Sequence, residues 1–140
     1  MPSVTSSGAM RIRVLLVDDS AEFLEGVERY LAGGSGLEVI GRALTCDSAL
    51  EQAARLRPDL VLLDLSMPGI GGMETLSRIK KLKGAPKVVL VTLHDAEAYR
   101  IAAERGGADG FVSKKEFART IHSTIRQLFS ADGTAAEASS

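Results

Sequence analysis

Five short apolar runs recur along the chain, at residues 14–17 (VLLV), 37–40 (LEVI), 60–63 (LVLL), 88–91 (VVLV) and 111–112 (FV), and their first residues lie 23, 23, 28 and 23 positions apart. That interval holds one short strand, one helix and the turns between them. The intervening segments carry apolar residues at helical spacing: Phe23, Val27, Tyr30 and Leu31, then Leu50, Ala53 and Ala54, and finally Phe117, Ile121, Ile125 and Leu128. Strand–helix units repeated in this way predict an α/β fold, a doubly wound five-stranded parallel sheet, because right-handed crossovers place helices on both faces. The first, third and fourth runs are apolar without alternation, as strands buried on both faces must be. The second run is broken by Glu38 and followed by Gly41 and Arg42, and the fifth has two residues, so these two are expected at the sheet edges.

The turns are marked chemically. Gly33, Gly34 and Gly36 stop the first helix, Pro58 precedes the third strand, and Gly84 and Pro86 precede the fourth. Ser113-Lys114-Lys115-Glu116 has the form of a capping box and is expected to open the last helix.

At 140 residues the chain has room for one ordinary domain core. Seventeen Lys and Arg balance eighteen Asp and Glu, so no overall field favours nucleic acid or an anionic membrane, and electrostatic specificity must be local. The single cysteine, Cys46, has no disulfide or zinc companion, which fits a cytoplasmic protein. No run approaches the roughly 18 apolar residues that span a bilayer. Residues 1–10 read as a flexible leader or tag, residues 11–129 as the folded domain, and residues 130–140 (SADGTAAEASS) as a tail or the start of a linker.

In an open parallel sheet, ligands bind outside the carboxyl ends of the strands. The polar residues that end strands are therefore the candidates for chemistry. They are Asp18 and Asp19 after the first run, Asp64 after the third, Thr92 after the fourth, and Lys114 shortly after the fifth. Two carboxylates about 4 Å apart repel by roughly 4 kcal/mol at an effective dielectric near 20. A hard divalent cation such as Mg²⁺, which takes carboxylate and phosphate oxygens, offsets that repulsion, with Lys114 as a second counter-charge. The competing reading is that each Asp only caps the turn after its strand.

Four segments, VLLVDDS (14–20), LVLLDLSMPGIGG (60–72), VVLVTLHD (88–95) and GADGFVSK (107–114), together resemble the receiver domain of bacterial two-component response regulators. The stretch VTLHDAEAYRIAAERGGADGFVSK (91–114) resembles receivers of the NarL/LuxR type. The resemblance implies a flavodoxin-like (βα)5 receiver with strand order 2-1-3-4-5, and a signalling domain rather than an enzyme. It implies that Asp64 is the phosphoacceptor, taking a phosphoryl group from a sensor histidine kinase or phosphotransfer protein. Asp18, Asp19, Asp64 and the Ser66 carbonyl become the Mg²⁺ site, Asp18 through water. Thr92 and Lys114 become the groups that bind phosphoryl oxygens. Thr92 and Phe111 become the switch that remodels the surface of the fourth helix, fifth strand and fifth helix. Homodimerisation through that surface is a hypothesis; neither a membrane nor direct nucleic-acid contact is expected of this chain.

Ser66, Leu93 and His94 flank the site as residues that modulate access. Leu93 is larger than the Ala or Gly of many receivers and is expected to shield the phosphoryl group from water. Lys115 stands where many receivers have Pro after a cis peptide, which leaves the isomer of that bond open. Phe111 replaces the Tyr of some receivers. One alternative is a receiver-like interaction module independent of phosphorylation. Another is a Mg²⁺-dependent aspartyl-phosphate phosphatase of the haloacid dehalogenase type, which normally has a second Asp where this chain has Ser66. A complete single-domain regulator and a receiver cut from a longer regulator are both compatible with the sequence.

Of the remaining features, His122 is expected at the surface. Arg78, Lys80, Lys81, Lys83 and Lys87 are expected to form a solvated charged face.

Overall fold

The computed structural model describes residues 11–32, 36–65, 71–93, 100–101 and 104–130. The strands are β1 (Ile12–Val17), β2 (Leu37–Ala43), β3 (Leu60–Asp64), β4 (Lys87–Thr92) and β5 (Gly110–Ser113), and each contains the apolar run that predicted it. They form one parallel sheet in the order β2-β1-β3-β4-β5. The expected edges are therefore the observed ones. Three helices follow the first three strands: α1 (Ala21–Leu31), α2 (Cys46–Leu56) and α3 (Gly72–Lys80). Of the helix expected between β4 and β5, Arg100, Ile101, Glu104 and Arg105 are described, and all four are helical. The expected fifth helix is α4 (Phe117–Ser130).

Side-chain alternation along the strands divides the core between the two faces of the sheet. Val14, Leu16, Leu60, Leu62, Val89 and Val91 pack toward α1 and α4, against Leu24, Val27, Leu31, Phe117, Ile121 and Ile125. Leu15, Val17, Val61, Leu63, Val88 and Leu90 pack toward α2 and α3, against Ala49, Ala53, Leu76 and Ile79. Burying a Leu, Ile or Val side chain contributes about 1.5–3 kcal/mol, so two filled faces are what hold the central strands in place. Val27, Leu31, Ala53, Phe117, Ile121 and Ile125 are core positions that the helical spacing marks, Leu24, Ala49, Leu76 and Ile79 are core positions that it does not, and the marked Tyr30 and Ala54 turn outward. The Tyr30 hydroxyl instead donates to the Ala118 carbonyl at 2.8 Å, tying α1 to α4.

Hydroxyl caps set the starts of α1 and α2: Ser20 Oγ accepts from Phe23 N and Thr45 Oγ1 from Ser48 N, both at 3.1 Å. Ser113 differs from its expected role. Its hydroxyl accepts from Lys115 N at 3.2 Å and opens a 3₁₀ turn, Lys114–Glu116, so α4 starts three residues later, at Phe117. Among the described residues no peptide is cis, so the Lys114–Lys115 bond is trans.

The amino-terminal edge of the sheet is pinned by two polar clamps. The Asp59 carboxylate accepts from Arg13 N at 2.9 Å, while the Arg13 guanidinium donates to the Leu56 and Arg57 carbonyls at 2.8 Å and so closes the end of α2. Asp109 accepts from Val88 N at 2.8 Å and pairs with Lys80 Nζ at 2.9 Å. Lys80 also donates to the Pro86 carbonyl at 3.0 Å. This corrects the reading of Lys80 as part of a solvated charged face: it is half-buried and joins α3 to the starts of β4 and β5. His122 is partly buried beside the exposed Tyr30, with ring centroids 5.4 Å apart, rather than at the open surface.

Candidate functional site

The carboxyl ends of the strands carry the candidate residues. Asp18 follows β1 directly and Asp64 closes β3, its neighbour in the sheet, so the two carboxyl groups emerge side by side. Both are almost fully buried, at 1% and 3% exposure, whereas Asp19 faces solvent. One carboxylate oxygen from each of Asp18, Asp19 and Asp64 can be chosen so that all three lie within 4.8 Å of one another. Such a set of oxygen donors suits a hard divalent cation.

Lys114 supplies the local positive charge. Its Nζ lies 2.7 Å from Asp18 Oδ2 and 3.8 Å from Asp64 Oδ2. The other Asp18 oxygen accepts from Ser20 N at 2.9 Å, and Asp18 N donates to the Ala43 carbonyl at 3.1 Å. Asp18 thus does brace a turn, as the competing capping reading proposed, but only one of its oxygens is used for that. Oδ2 is buried with the Lys114 ammonium as its charge partner and no conventionally angled hydrogen-bond donor. Burial raises the Asp18 pKa above its ordinary value of 3.8. The adjoining Lys114 ammonium and the hydrogen-bonding Ser20 amide pull it back, and the neighbouring Asp64 charge pushes it up again.

Thr92 ends β4 fully buried and pairs in register with Ser113, so it stands at the same sheet edge as the carboxylates, one residue beyond the partner of Asp64. Leu93 follows it and is 55% exposed, an apolar side chain at the rim. Phe111 lies lower in β5, opposite Leu90, half-buried against the core on the α2 and α3 side. It is therefore set back from the carboxylates rather than gathered with them. Ser66 and His94 lie outside the described residues.

Two contributors were not visible in the sequence. The Phe23 ring, in the first turn of α1, has the Lys114 ammonium over its face, 4.3 Å from the ring centroid. Its apolar helical spacing marked Phe23 only as a core position. Gly72, at the start of α3, comes so close to Leu65 that a Cβ there would sit 2.5 Å from the Leu65 carbonyl oxygen. The glycine pair of residues 71–72 was the available signal.

The described helices include none long and apolar enough to cross a membrane. The chain is 36% identical over 118 residues to the response regulator GacA of Pseudomonas aeruginosa, an alignment that covers 84% of this chain and 55% of GacA. It thus spans about half the length of the curated relatives it matches. Among solved structures, it resembles a two-component response regulator of the LuxR family from Aurantimonas, with a TM-score of 0.81, 27% identity and coverage of 91% of this chain and 94% of that one. It likewise resembles the signal receiver domain of the putative response regulator NarL from Mycobacterium tuberculosis, with a TM-score of 0.78, 32% identity and coverage of 88% and 98%. With residues 14–126 matching the response regulator receiver domain model, on a sheet of order 2-1-3-4-5 whose carboxyl edge gathers three aspartates and a lysine, the chain belongs to the response regulator receiver domain family.

Proposed function

We propose that this receiver accepts a phosphoryl group on Asp64 from the phosphohistidine of a sensor kinase or phosphotransfer protein, and that the modification changes its interaction surface. The observation that carries the reading is the meeting of Asp18, Asp19, Asp64 and Lys114 at the carboxyl edge of the central strands. The buried Asp18 Oδ2, with a charge partner but no conventional hydrogen-bond donor, and the oxygen-only donor set fit a hard cation. Asp18, Asp19 and Asp64 would hold Mg²⁺, with the Ser66 carbonyl as the further ligand the family resemblance implies. When bound, Mg²⁺ neutralises carboxylate charge and polarises phosphoryl oxygens.

The chain's own groups account for the rest of the chemistry. A carboxylate oxygen of Asp64 attacks phosphorus; the new O–P bond forms as the P–N bond breaks, and the electron pair leaves on the imidazole nitrogen, which takes up a proton. Little covalent help is needed in such a transfer, so positioning and charge neutralisation dominate it. Lys114 is placed to hold one developing phosphoryl oxygen. The Thr92 hydroxyl is the group that can take another.

The product would add roughly 1.5–2 negative charges, by analogy with phosphoserine, to an already acidic pocket. Recruiting Thr92 would draw the end of β4 inward and free space for Phe111. The surface formed by the expected fourth helix, β5 and α4 would then shift between two packings. That surface is also the proposed route to output and to homodimerisation. In a polypeptide of GacA's length it would act on the part of the protein beyond this span, as in transcription regulation.

The test is incubation with Mg²⁺ and acetyl phosphate, followed by intact-mass measurement. One phosphoryl adduct is expected in the native sequence and none in Asp64→Asn. No adduct, or one that survives Asp64→Asn, overturns the reading.

A further inference from the structure

Lys114 reaches its position from the edge of the sheet. Its last hydrogen-bonded strand, β5, lies beyond β4 and β3 from β1, yet its ammonium touches Asp18 after β1. A lysine side chain has four rotatable bonds and loses much rotamer freedom when fixed. Something must hold it there, and Asp18 alone is a partner that a bound cation would compete for.

Besides the two carboxylates, the Phe23 ring contacts the ammonium, with Nζ 4.3 Å from its ring centroid. The ring is itself held: it is half-buried and meets Phe117 edge to face, with centroids 6.0 Å apart and planes at 74°. Phe117 is buried at the first turn of α4, and Tyr30 packs on it from α1 with centroids 6.3 Å apart. The Lys114 side chain is only 13% exposed. A cation–π contact is strongest where water is excluded.

We infer that Phe23 is a positioning residue for Lys114, its ring face fixing the ammonium beside Asp18 and Asp64 so that it is already in place when a phosphoryl group arrives. This rests on the phosphoacceptor reading of Asp64. Phe23 touches neither phosphoryl group nor cation; it acts through Lys114. A ring quadrupole, unlike a carboxylate, is not drawn away by a metal, so this hold on the lysine persists when the carboxylates are occupied.

Replacing Phe23 with mono-, di- and trifluorinated phenylalanines withdraws electron density from the ring face at nearly constant shape. The rate constant for Asp64 phosphorylation by acetyl phosphate should fall stepwise with each fluorine, reaching about three- to tenfold below the native value, while the melting temperature stays level. Phe23→Leu should show a similar loss, and Phe23→Tyr should restore the native rate. In the unphosphorylated protein, the Lys114 ε-methylene protons should be shifted upfield by the ring and return toward ordinary values in Phe23→Leu.

A rate that is flat across the fluorinated series while the native protein is phosphorylated overturns the role of Phe23 and leaves Asp64 as phosphoacceptor. Unshifted Lys114 resonances overturn it independently of any phosphorylation. If the native protein takes up no phosphoryl group, both readings fall together.

Discussion

Asp18 and Lys114 meet at 2.7 Å although their strands are three spacings apart in the sheet, about 14 Å from axis to axis at the usual strand separation. Lys114 therefore reaches past the end of β4 to set its ammonium between the ends of β1 and β3, 3.8 Å from Asp64 Oδ2. A buried pair of this kind contributes little net stability, because the desolvation of both charges offsets their attraction. Its value is positional: it holds a cation above the buried Asp64 carboxylate.

The raised pKa of Asp18 gives the sign of its effect on stability. Because the folded value lies above 3.8, the native state binds more protons than the unfolded chain across the interval between the two values. The group's favourable contribution is present below the ordinary value and is lost as pH rises through the folded one. In metal-free buffer, Asp18→Asn should therefore melt higher than the native protein at neutral pH, with the gap closing as pH falls toward 3.8. A lower melting temperature for Asp18→Asn at neutral pH would mean that the Lys114 pair outweighs burial.

Mg²⁺ should stabilise the fold by mass action. At tenfold excess over its dissociation constant the gain is about 1.4 kcal/mol, or roughly 3–6 °C for a domain of this size. Asp19 is exposed, so Asp19→Asn should match the native melting temperature in EDTA and lose most of the rise on adding Mg²⁺. Calorimetry with and without the ion checks this; an undiminished rise in Asp19→Asn counts against a site built on these aspartates.

Leu93 places an exposed apolar side chain immediately after the buried Thr92. If it shields the phosphorylated site, Leu93→Ala should dephosphorylate several-fold faster, followed as loss of the phosphoryl adduct after acetyl phosphate is removed. Equal decay rates for the two proteins would show that Leu93 does not screen water.

Gly72 has no space for a methyl group: a Cβ would lie 2.5 Å from Leu65 Cα and carbonyl oxygen, which are backbone atoms that cannot rotate aside. Gly72→Ala should cost about 1–3 kcal/mol in denaturant titration, the range for forced overpacking. Since Leu65 directly follows Asp64, it should also slow phosphorylation more than an equally destabilising change at Ile125, remote from the site. Equal slowing in both variants would show that only global stability is involved.

The sheet was legible because its signal is local. Each central strand is a continuous apolar run, and Leu37–Ala43 and Gly110–Ser113 betray their edge positions by charge or brevity. Asp18 and Asp64 could be placed because they end such runs. Contacts made across large sequence separations could not be read in the same way. The tie between Phe23 and Lys114 joins residues 91 positions apart, and Lys80 with Asp109 joins residues 29 apart; neither has a periodic or motif signature. The Ser113 cap was mistaken in extent because a 3₁₀ turn and the first turn of an α-helix begin with the same residue chemistry.

Strand β5 has four residues, of which Val112 alone is buried, and Lys114 comes directly after it. Marginal edge elements open more readily than the sheet interior, in sub-global unfolding events that leave the remainder protected. Opening of β5 would carry the lysine away from the aspartates while β1, β3 and β4 stay folded. Competence for phosphotransfer would then be governed by a local opening free energy smaller than that of the whole domain. On warming, the site would be dismantled from its edge before the domain melts.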